Sequence, residues 1–397
     1  MPRMMINDEA FIEIECSQLI KGGEAVAGDD FKTEVLPNEQ RYISVLSDGL
    51  GSGIKAALLS NMTTAMALKF VAQNQEILKS SEIIMDSLPV CEVRKISYAT
   101  FTIVDLIYGV KARTVEMDNP ELIHLRANRE VIHEKKELVS KKWPSRKLLL
   151  SEFPVQLEDR IIFFSDGVTQ AGLGMKPHKF GWTRSGCLKY IQELIAENPE
   201  ISARKLSKAV VRQACCMDQC GKPLDDITCA VIYFRHPRRL RLLTGPPFKE
   251  EHDAEYAGYF RNFNGKKIVC GGTTAQIVSR ELNIPIRTDL KNRTRGLPPA
   301  SQMEGIDMVT EGILTLTELA VSLEKETPLS KMQPIIQQLY NLFMDSDIIE
   351  FVVGTKINEA HQDPNLPVDL EMRRNIIKRI RASLEEKYRK KVTVRYI

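Results

Sequence analysis

The stretch Ile43-Ser-Val-Leu-Ser-Asp-Gly-Leu-Gly-Ser-Gly-Ile54 decides how the first half of this chain is read. Tyr42 to Leu46 is an apolar run with β-branched members, the pattern of a buried strand. Asp48 and Gly49 stand where that strand ends. Gly51 and Gly53 then open a segment whose apolar positions Ile54, Ala57, Leu58, Met62, Ala65, Met66 and Leu68 recur at helical spacing, which predicts a helix running to about residue 74. An acid at a strand end, beside a carbonyl that glycine leaves uncovered, suits a hard cation.

A single Asp-Gly is a common turn pair, and on its own it reads as a turn. Here the pattern recurs. Arg160-Ile-Ile-Phe-Phe-Ser165 is a second apolar strand, and it ends in Asp166-Gly167. Asp225-Asp226 stands directly before the strand Ile227-Thr-Cys-Ala-Val-Ile-Tyr-Phe234, and Asp29-Asp30 follows Gly28. Acids at four strand boundaries can converge on one end of a sheet. Ionised carboxylates at short range raise one another's pKa and call for a cation, so a metal site outweighs four independent turns.

The remaining pattern organises around these points. An alternating strand over 9–17 carries Phe11, Ile12 and Ile14. A second helix is expected over 75–88, strands over 98–108, 114–117 and 122–125, and a hairpin turn at Asn128 and Arg129 leading to Val131-Ile132. Residues 171–186 read as loop, and 187–197 and 202–216 as helices. Strands grouped between long helices predict an α+β unit of antiparallel sheets covered by helices. The basic, proline-punctuated segment 235–247 is the expected boundary, giving domains of 1–240 and 246–397.

In the second domain, strands Lys266-Lys-Ile-Val-Cys270, Gly305-Ile-Asp-Met-Val-Thr310 and Ile348-Ile-Glu-Phe-Val-Val353 alternate with helices, which predicts a smaller α/β domain with a partly parallel sheet. Their ends are small and polar: Gly271, Gly272, Thr273 and Thr274 after the first, Glu311 after the second, and Gly354, Thr355, Asn358 and His361 after the third. These positions form a candidate site for a small anionic or nucleotide-like ligand at a helix N-terminus. The alternative is a tight turn with Thr273 or Thr274 as a helix cap. The ten Lys and Arg residues between Arg373 and Arg395 read as a solvated helix face.

Composition sets outer limits. With 397 residues there is room for two cores, and a net charge of +3 gives nucleic-acid binding no support. Neither a signal peptide nor a membrane-spanning run stands out, so a cytoplasmic, membrane-free protein is expected. The eight cysteines read as reduced thiols. Cys215, Cys216 and Cys220 fall short of a closed four-ligand zinc site; inert thiols are expected, with redox sensing as the alternative. Isolated His124 and His178 read as structural or surface residues. The Gly49, Gly51, Gly53 spacing does not fit a dinucleotide fingerprint.

Taken together, Gly28-Asp29, Ser47-Asp-Gly-Leu-Gly-Ser-Gly53, Phe164-Ser-Asp-Gly-Val168, Asp225-Asp-Ile-Thr228 and Met117-Asp-Asn-Pro-Glu-Leu-Ile-His-Leu125 resemble the metal-dependent type 2C protein serine/threonine phosphatases, in their bacterial stage II sporulation protein E branch, over residues 10–235. The resemblance implies a β-sandwich of two antiparallel sheets flanked by helices, with two Mn²⁺ or Mg²⁺ ions at one end. It gives Asp48 as the ligand shared by both ions, Gly49 as a carbonyl ligand, Asp166 and Asp225 on the second ion, and Asp29 acting through a coordinated water. The residues themselves leave Asp225 and Asp226 open. A water shared by the ions then attacks a phosphoserine or phosphothreonine ester, with no phosphoenzyme. Some members of the wider family place an arginine upstream of the first acid; between Glu13 and Gly28 this chain has Lys21. The implied substrate is a phosphorylated bacterial regulator such as an anti-sigma-factor antagonist, and a homodimer is left open. The rival function is a catalytically weak phosphatase-like sensor that signals through the second domain.

Overall fold

The computed structural model describes residues 4–7, 10–88, 99–107, 110–144, 146–175, 179–218, 221–288, 301–356, 368–388 and 390–397. The chain divides into two compact units, Met1–His236 and Pro237–Ile397. No helix among the described residues is long and apolar enough to cross a membrane.

The first unit opens with β1 (Met4–Asn7), β2 (Ala10–Leu19), β3 (Asp29–Leu36) and β4 (Arg41–Gly49), followed by α1 (Gly53–Ala72) and α2 (Ile77–Ser87). Then come β5 (Ala99–Ile107), β6 (Lys111–Met117), β7 (Ile123–Arg126), β8 (Arg129–Glu130), β9 (Lys136–Val139), β10 (Lys147–Pro154) and β11 (Arg160–Phe164). Helices α3 (Asp166–Thr169), α4 (Thr183–Glu197) and α5 (Ala203–Met217) precede β12 (Ile227–Arg235). Two six-stranded sheets result, in the orders β1-β2-β12-β11-β7-β8 and β3-β4-β5-β6-β10-β9, with every pairing antiparallel.

Three apolar layers hold the unit together. Ile12, Ile14, Leu46, Val104, Phe163 and Ile232 fill the space between the sheets. Helices α1 and α2 cover the outer face of one sheet through Leu59, Leu68, Val71 and Ile84, against Ile43, Val45 and Phe101. Helices α4 and α5 cover the other through Ile191, Leu206 and Val210, against Ile162, Phe164 and Val231. This is a helix–sheet–sheet–helix sandwich. The covering helices explain why β4 and β12 read as unbroken apolar runs although antiparallel: both faces of each strand are buried.

Local differences from the sequence reading are instructive. Residues 11–14 of β2 are all buried, so that strand does not alternate. The hairpin between β7 and β8 turns at Ala127 and Asn128, both at positive φ, one residue earlier than expected. Helix α1 is rotated from its expected face. Ile54 is 77% and Leu58 53% exposed, while Ala56, Leu59, Thr63, Ala67 and Val71 are buried.

The second unit begins earlier than expected. Residues 239–244, taken as boundary, form β13 (Arg239–Thr244), with Leu240, Leu242 and Leu243 buried. After it come α6 (Asp253–Gly258), β14 (Lys266–Cys270), α7 (Gly272–Leu282), β15 (Arg287–Thr288), β16 (Ser301–Met303), β17 (Ile306–Thr310), α8 (Ile313–Glu324), α9 (Pro334–Met344), β18 (Ile348–Val353), α10 (Val368–Glu386) and β19 (Lys391–Tyr396). The sheet order is β15-β16-β17-β14-β13-β18-β19. β13, β14, β17, β18 and β19 run parallel, and β16 and β15 extend one edge antiparallel. The chain winds outward from β13 to β17, then crosses back to β18 and β19. Helices α6 and α7 pack on one face, and α8, α9 and α10 on the other. Such a doubly wound sheet gathers its loops at the carboxyl ends of the strands.

The rotation of α1 sets a test. Leu59→Ala should cost about 2–4 kcal/mol in a denaturant titration, whereas Leu58→Ala should stay within about 0.5 kcal/mol. Equal costs would contradict the observed face.

Candidate metal centre

Asp48 and Asp29 are the foundation of the site. They are direct partners in the β3–β4 ladder, so their side chains share one face of the sheet. Like charges directly opposite one another are unfavourable, and a sheet accepts them only where something offsets the repulsion. Asp29 is buried, and its Oδ2 accepts a 2.6 Å hydrogen bond from Thr228 Oγ1 on β12. Gln18 Nε2 donates both to Thr228 Oγ1 (3.1 Å) and to the Asp29 carbonyl (3.0 Å). Thr228 therefore ties the two sheets together at the acid. Asp30 points the other way, as strand alternation requires, and bonds Lys32 Nζ and Thr64 Oγ1.

Asp166 opens α3 directly after β11, and Gln170 Nε2 donates to its Oδ2 at 2.7 Å. Asp225 and Asp226 precede β12, and the two behave differently. Asp226 is buried, and both its oxygens are taken by backbone donors: Lys21 N–H at 3.0 Å and Gly28 N–H at 2.8 Å. It clasps the loop between β2 and β3. Asp225 is half-buried, with Lys21 Nζ 3.4 Å from its Oδ1. Asp218, which the sequence did not single out, is a second clasp; it accepts from Gly172 N–H (2.7 Å) and Leu224 N–H (2.9 Å).

Three glycines let these strand ends approach. A Cβ on Gly49 would lie 2.0 Å from the Ala56 carbonyl oxygen of α1. One on Gly167 would lie 2.1 Å from the Asp226 carbonyl oxygen, and one on Gly28 would lie 2.9 Å from Asp226 Oδ2 and from Ala56 Cβ. Gly49 ends a strand and Gly167 sits within α3, so neither Asp-Gly pair is a turn. The glycines serve close approach.

The electrostatics follow from this crowding. Burial pushes the Asp48 carboxyl well above the ordinary range, and Asp29, Asp166 and Asp225 push it further. Burial likewise raises Asp29, against hydrogen bonds from Thr228 and Ser165, with Asp226 and Asp166 adding to the rise. Asp166 is raised by burial and by Asp225, while Lys21 opposes the shift. Asp29, Asp48, Asp166 and Asp225 thus share one electrostatic environment. Among the described residues, no group of three or more His, Cys, Asp or Glu side chains has its ligating atoms arranged to hold a metal ion as they stand. Asp48 and Asp166 instead lie within hydrogen-bonding reach of one another. The donor chemistry nonetheless fits hard divalent cations, which favour carboxylate oxygen and relieve mutual repulsion of this kind.

Other expected positions fall elsewhere. His124 is buried between Asp159 Oδ2 (3.0 Å) and His133 Nε2 (2.6 Å), near the start of β11 and so at the opposite end of that strand from Asp166. Cys215 donates its thiol to the Gly221 carbonyl, and burial raises its pKa, which disfavours the reactive thiolate; Cys216 is exposed. Cys220, His178, Asn358 and His361 lie outside the described residues.

In the second unit, Gly271, Gly272, Thr273, Thr274 and Glu311 line one cleft. Thr355 is set apart from it: its N–H and its hydroxyl both donate to the Ile397 carbonyl. Gly354 packs against the backbone of Gly245 and Pro246. Arg373, expected on a solvated face, is instead buried and lines the same cleft. Its neighbours Arg379 and Arg381 on α10 carry exposed ion pairs.

The close-approach account of Gly49 gives a sharp expectation. Gly49→Ala should lower stability by about 3 kcal/mol, since overpacking against backbone cannot relax. A cost under about 1 kcal/mol, typical of an unstrained glycine replacement, would contradict it.

Residues 38–235 match the family model described as Stage II sporulation protein E (SpoIIE). No curated protein matched the chain. Among solved structures, the phosphatase domain with a regulatory-domain fragment of SpoIIE from Bacillus subtilis shares 16% identity, covering 57% of this chain and 64% of that one, at a TM-score of 0.45. This chain therefore spans less than two thirds of that structure. The RsbU and RsbW domains of Rv1364c from Mycobacterium tuberculosis share 15% identity over 64% of this chain and 68% of that one (TM-score 0.45). The SiaA PP2C domain of Pseudomonas aeruginosa shares 16% over 55% and 84% (TM-score 0.40). Scores this low add nothing to the family match. On that match, residues 38–235 are similar to the SpoIIE family.

Proposed function

We propose that the first unit is a divalent-cation-dependent phosphatase acting on phosphoserine or phosphothreonine of a regulatory protein. The observation that carries this reading is the convergence of Asp29, Asp48, Asp166 and Asp225 on one end of the sandwich, each of the first three raised by burial and by its neighbours. We assign the ligand role to Asp48, the Gly49 carbonyl, Asp166 and Asp225, with Asp29 behind them. Asp225 takes it in preference to Asp226 because the oxygens of Asp226 are already committed to backbone donors. Mn²⁺ or Mg²⁺ held there would supply an activated water and neutralise charge on the phosphoryl oxygens.

The protein's own groups have separable tasks. Thr228 and Gln18 fix Asp29, and Gln170 fixes the outer oxygen of Asp166. Lys21 stands beside Asp225 and is the cation offered to the substrate phosphate. A phosphorylated protein suits the surroundings, because apolar side chains are exposed on the segments that flank the acids: Val26 before Gly28, Ile54 and Leu58 at the start of α1, and Leu224 before Asp225. An anti-sigma-factor antagonist is the substrate that the resemblance to the sporulation-phosphatase branch implies.

Asp48→Ala should lower Mn²⁺-dependent hydrolysis of an aryl phosphate on the order of a thousandfold while the protein stays folded. Thr228→Val should weaken cation affinity about 10–100-fold, as loss of an orienting partner does. Lys21→Ala should act mainly on KM. Near-normal turnover by folded Asp48→Ala protein at saturating Mn²⁺ would overturn the assignment.

The same carboxyls set a pH dependence. A folded-state pKa above the unfolded value means that stability is greatest at low pH and is lost as pH rises above the ordinary aspartate range. In EDTA, thermal stability should therefore fall with rising pH, and Asp48→Asn should raise it by about 1–2 kcal/mol at pH 8. Mn²⁺ should stabilise wild type and leave Asp48→Asn nearly unmoved. A destabilising Asp48→Asn would contradict the electrostatic account.

A further inference from the structure

We propose that the second unit binds a nucleotide in the cleft at the carboxyl ends of β13, β14 and β17, with its phosphate on the first turn of α7 and its base at the rim. This inference is independent of the phosphatase reading, since no residue of the first unit enters it.

The cleft is about 460 Å³, within the range of small-molecule sites. Its walls are Thr244-Gly245-Pro246 after β13, Cys270 to Thr274 after β14, and Glu311 to Leu314 after β17. Met372 and Arg373 of α10 close it. Two helix N-termini face this space. The N-caps of α7 and α8 are Gly271 (φ 123°) and Gly312 (φ 142°), and neither helix has a side-chain cap. Both φ values suit glycine alone, and a Cβ on Gly312 would stand 3.5 Å from Gly271 Cα. The two first turns are thus packed together, and their leading N–H groups have no acceptor within their own helices.

A second observation points to a ligand. Thr274 is 1% exposed and lines the cleft, and among the described residues its Oγ1 has no hydrogen-bond partner. The buried Tyr256 hydroxyl is close enough to interact with it, yet among the described residues neither hydroxyl makes a hydrogen bond of good geometry. Gly271 is the N-cap of α7 and no side chain caps the helix, so neither Thr273 nor Thr274 serves as its cap. Arg373 adds positive charge. It is 8% exposed and bonds the Gly354 carbonyl at 3.4 Å, and a Cβ on Gly245 would strike its guanidinium at 2.5 Å. Two helix ends, a buried guanidinium and an unsatisfied hydroxyl make an anion site.

The rim specifies what the anion is attached to. Leu314 is 56% and Met372 46% exposed, two large apolar side chains bordering the opening of a polar cleft. A flat heteroaromatic base fits against them. Glu311, exposed at the same mouth, offers a carboxylate acceptor for ribose hydroxyls. Inorganic phosphate would satisfy only the inner half.

The test is isothermal calorimetry on the full chain in EDTA, which keeps the carboxylate centre of the first unit out of the reading. The probes are AMP, ADP, GDP, CDP and NAD⁺, with inorganic phosphate and adenosine as partial ligands. One nucleotide should bind per chain, at least tenfold tighter than phosphate or adenosine. Gly272→Asp puts a carboxylate on the first turn of α7 at a position where a Cβ meets nothing within 4 Å. It should leave the thermal transition intact and abolish binding. Arg373→Gln should weaken binding at least tenfold and Thr274→Val severalfold. No binding by any nucleotide, or unchanged affinity in Gly272→Asp, would overturn the proposal.

Discussion

Mutual repulsion among buried carboxylates is the constraint on which the first unit turns. Asp48 and Asp29 face each other across a ladder, and Asp166 and Asp225 arrive from the other sheet. A fold does not gather such groups for stability, since burial and like charge both disfavour their ionised forms. The surroundings hold them all the same. Thr228 bridges to Asp29, Gln170 to Asp166, and Asp226 and Asp218 fasten the loops with both of their oxygens. Acids satisfied by backbone N–H groups build the frame; the acids that press on one another are the ones proposed to hold the cation.

The sandwich supplies that arrangement economically. Covering helices bury the outer faces of both sheets, so β4, β11 and β12 are apolar along their length and acidic only at or just beyond one end. Close approach at that end depends on Gly28, Gly49 and Gly167, where any side chain would meet backbone or carboxylate. The recurring Asp-Gly pairs thus join two requirements in adjacent residues: a charged group that faces the site, and a missing side chain that lets the next element pass.

Much of this was legible in the sequence, because apolar runs ending in acids are a strong local signal. The acids' separate roles were not. Asp225 and Asp226 are indistinguishable in a row of letters, and only the donors at Lys21 and Gly28 separate them. The apolar pattern points to the wrong face of α1 because Ile54 and Leu58 are apolar yet exposed, while Thr63 and Thr64 are buried. β13 reads as a linker in sequence because arginines flank its leucines. Arg241 is accommodated by Glu350 (2.8 Å) and by stacking on Phe263. Arg373 hid among nine other cations of the same segment; no pattern within α10 marks it, and its burial depends on Gly245, far away in sequence, where a side chain would strike its guanidinium.

Anomalous scattering from crystals grown with Mn²⁺ tests the central claim most directly. The account predicts Mn²⁺ peaks within coordination distance of Asp48, with Asp166 and Asp225 completing the site and Asp226 still bound to the N–H groups of Lys21 and Gly28. Crystals of the folded protein that show no Mn²⁺ at Asp48, or Mn²⁺ held by Asp226 in place of Asp225, would contradict it.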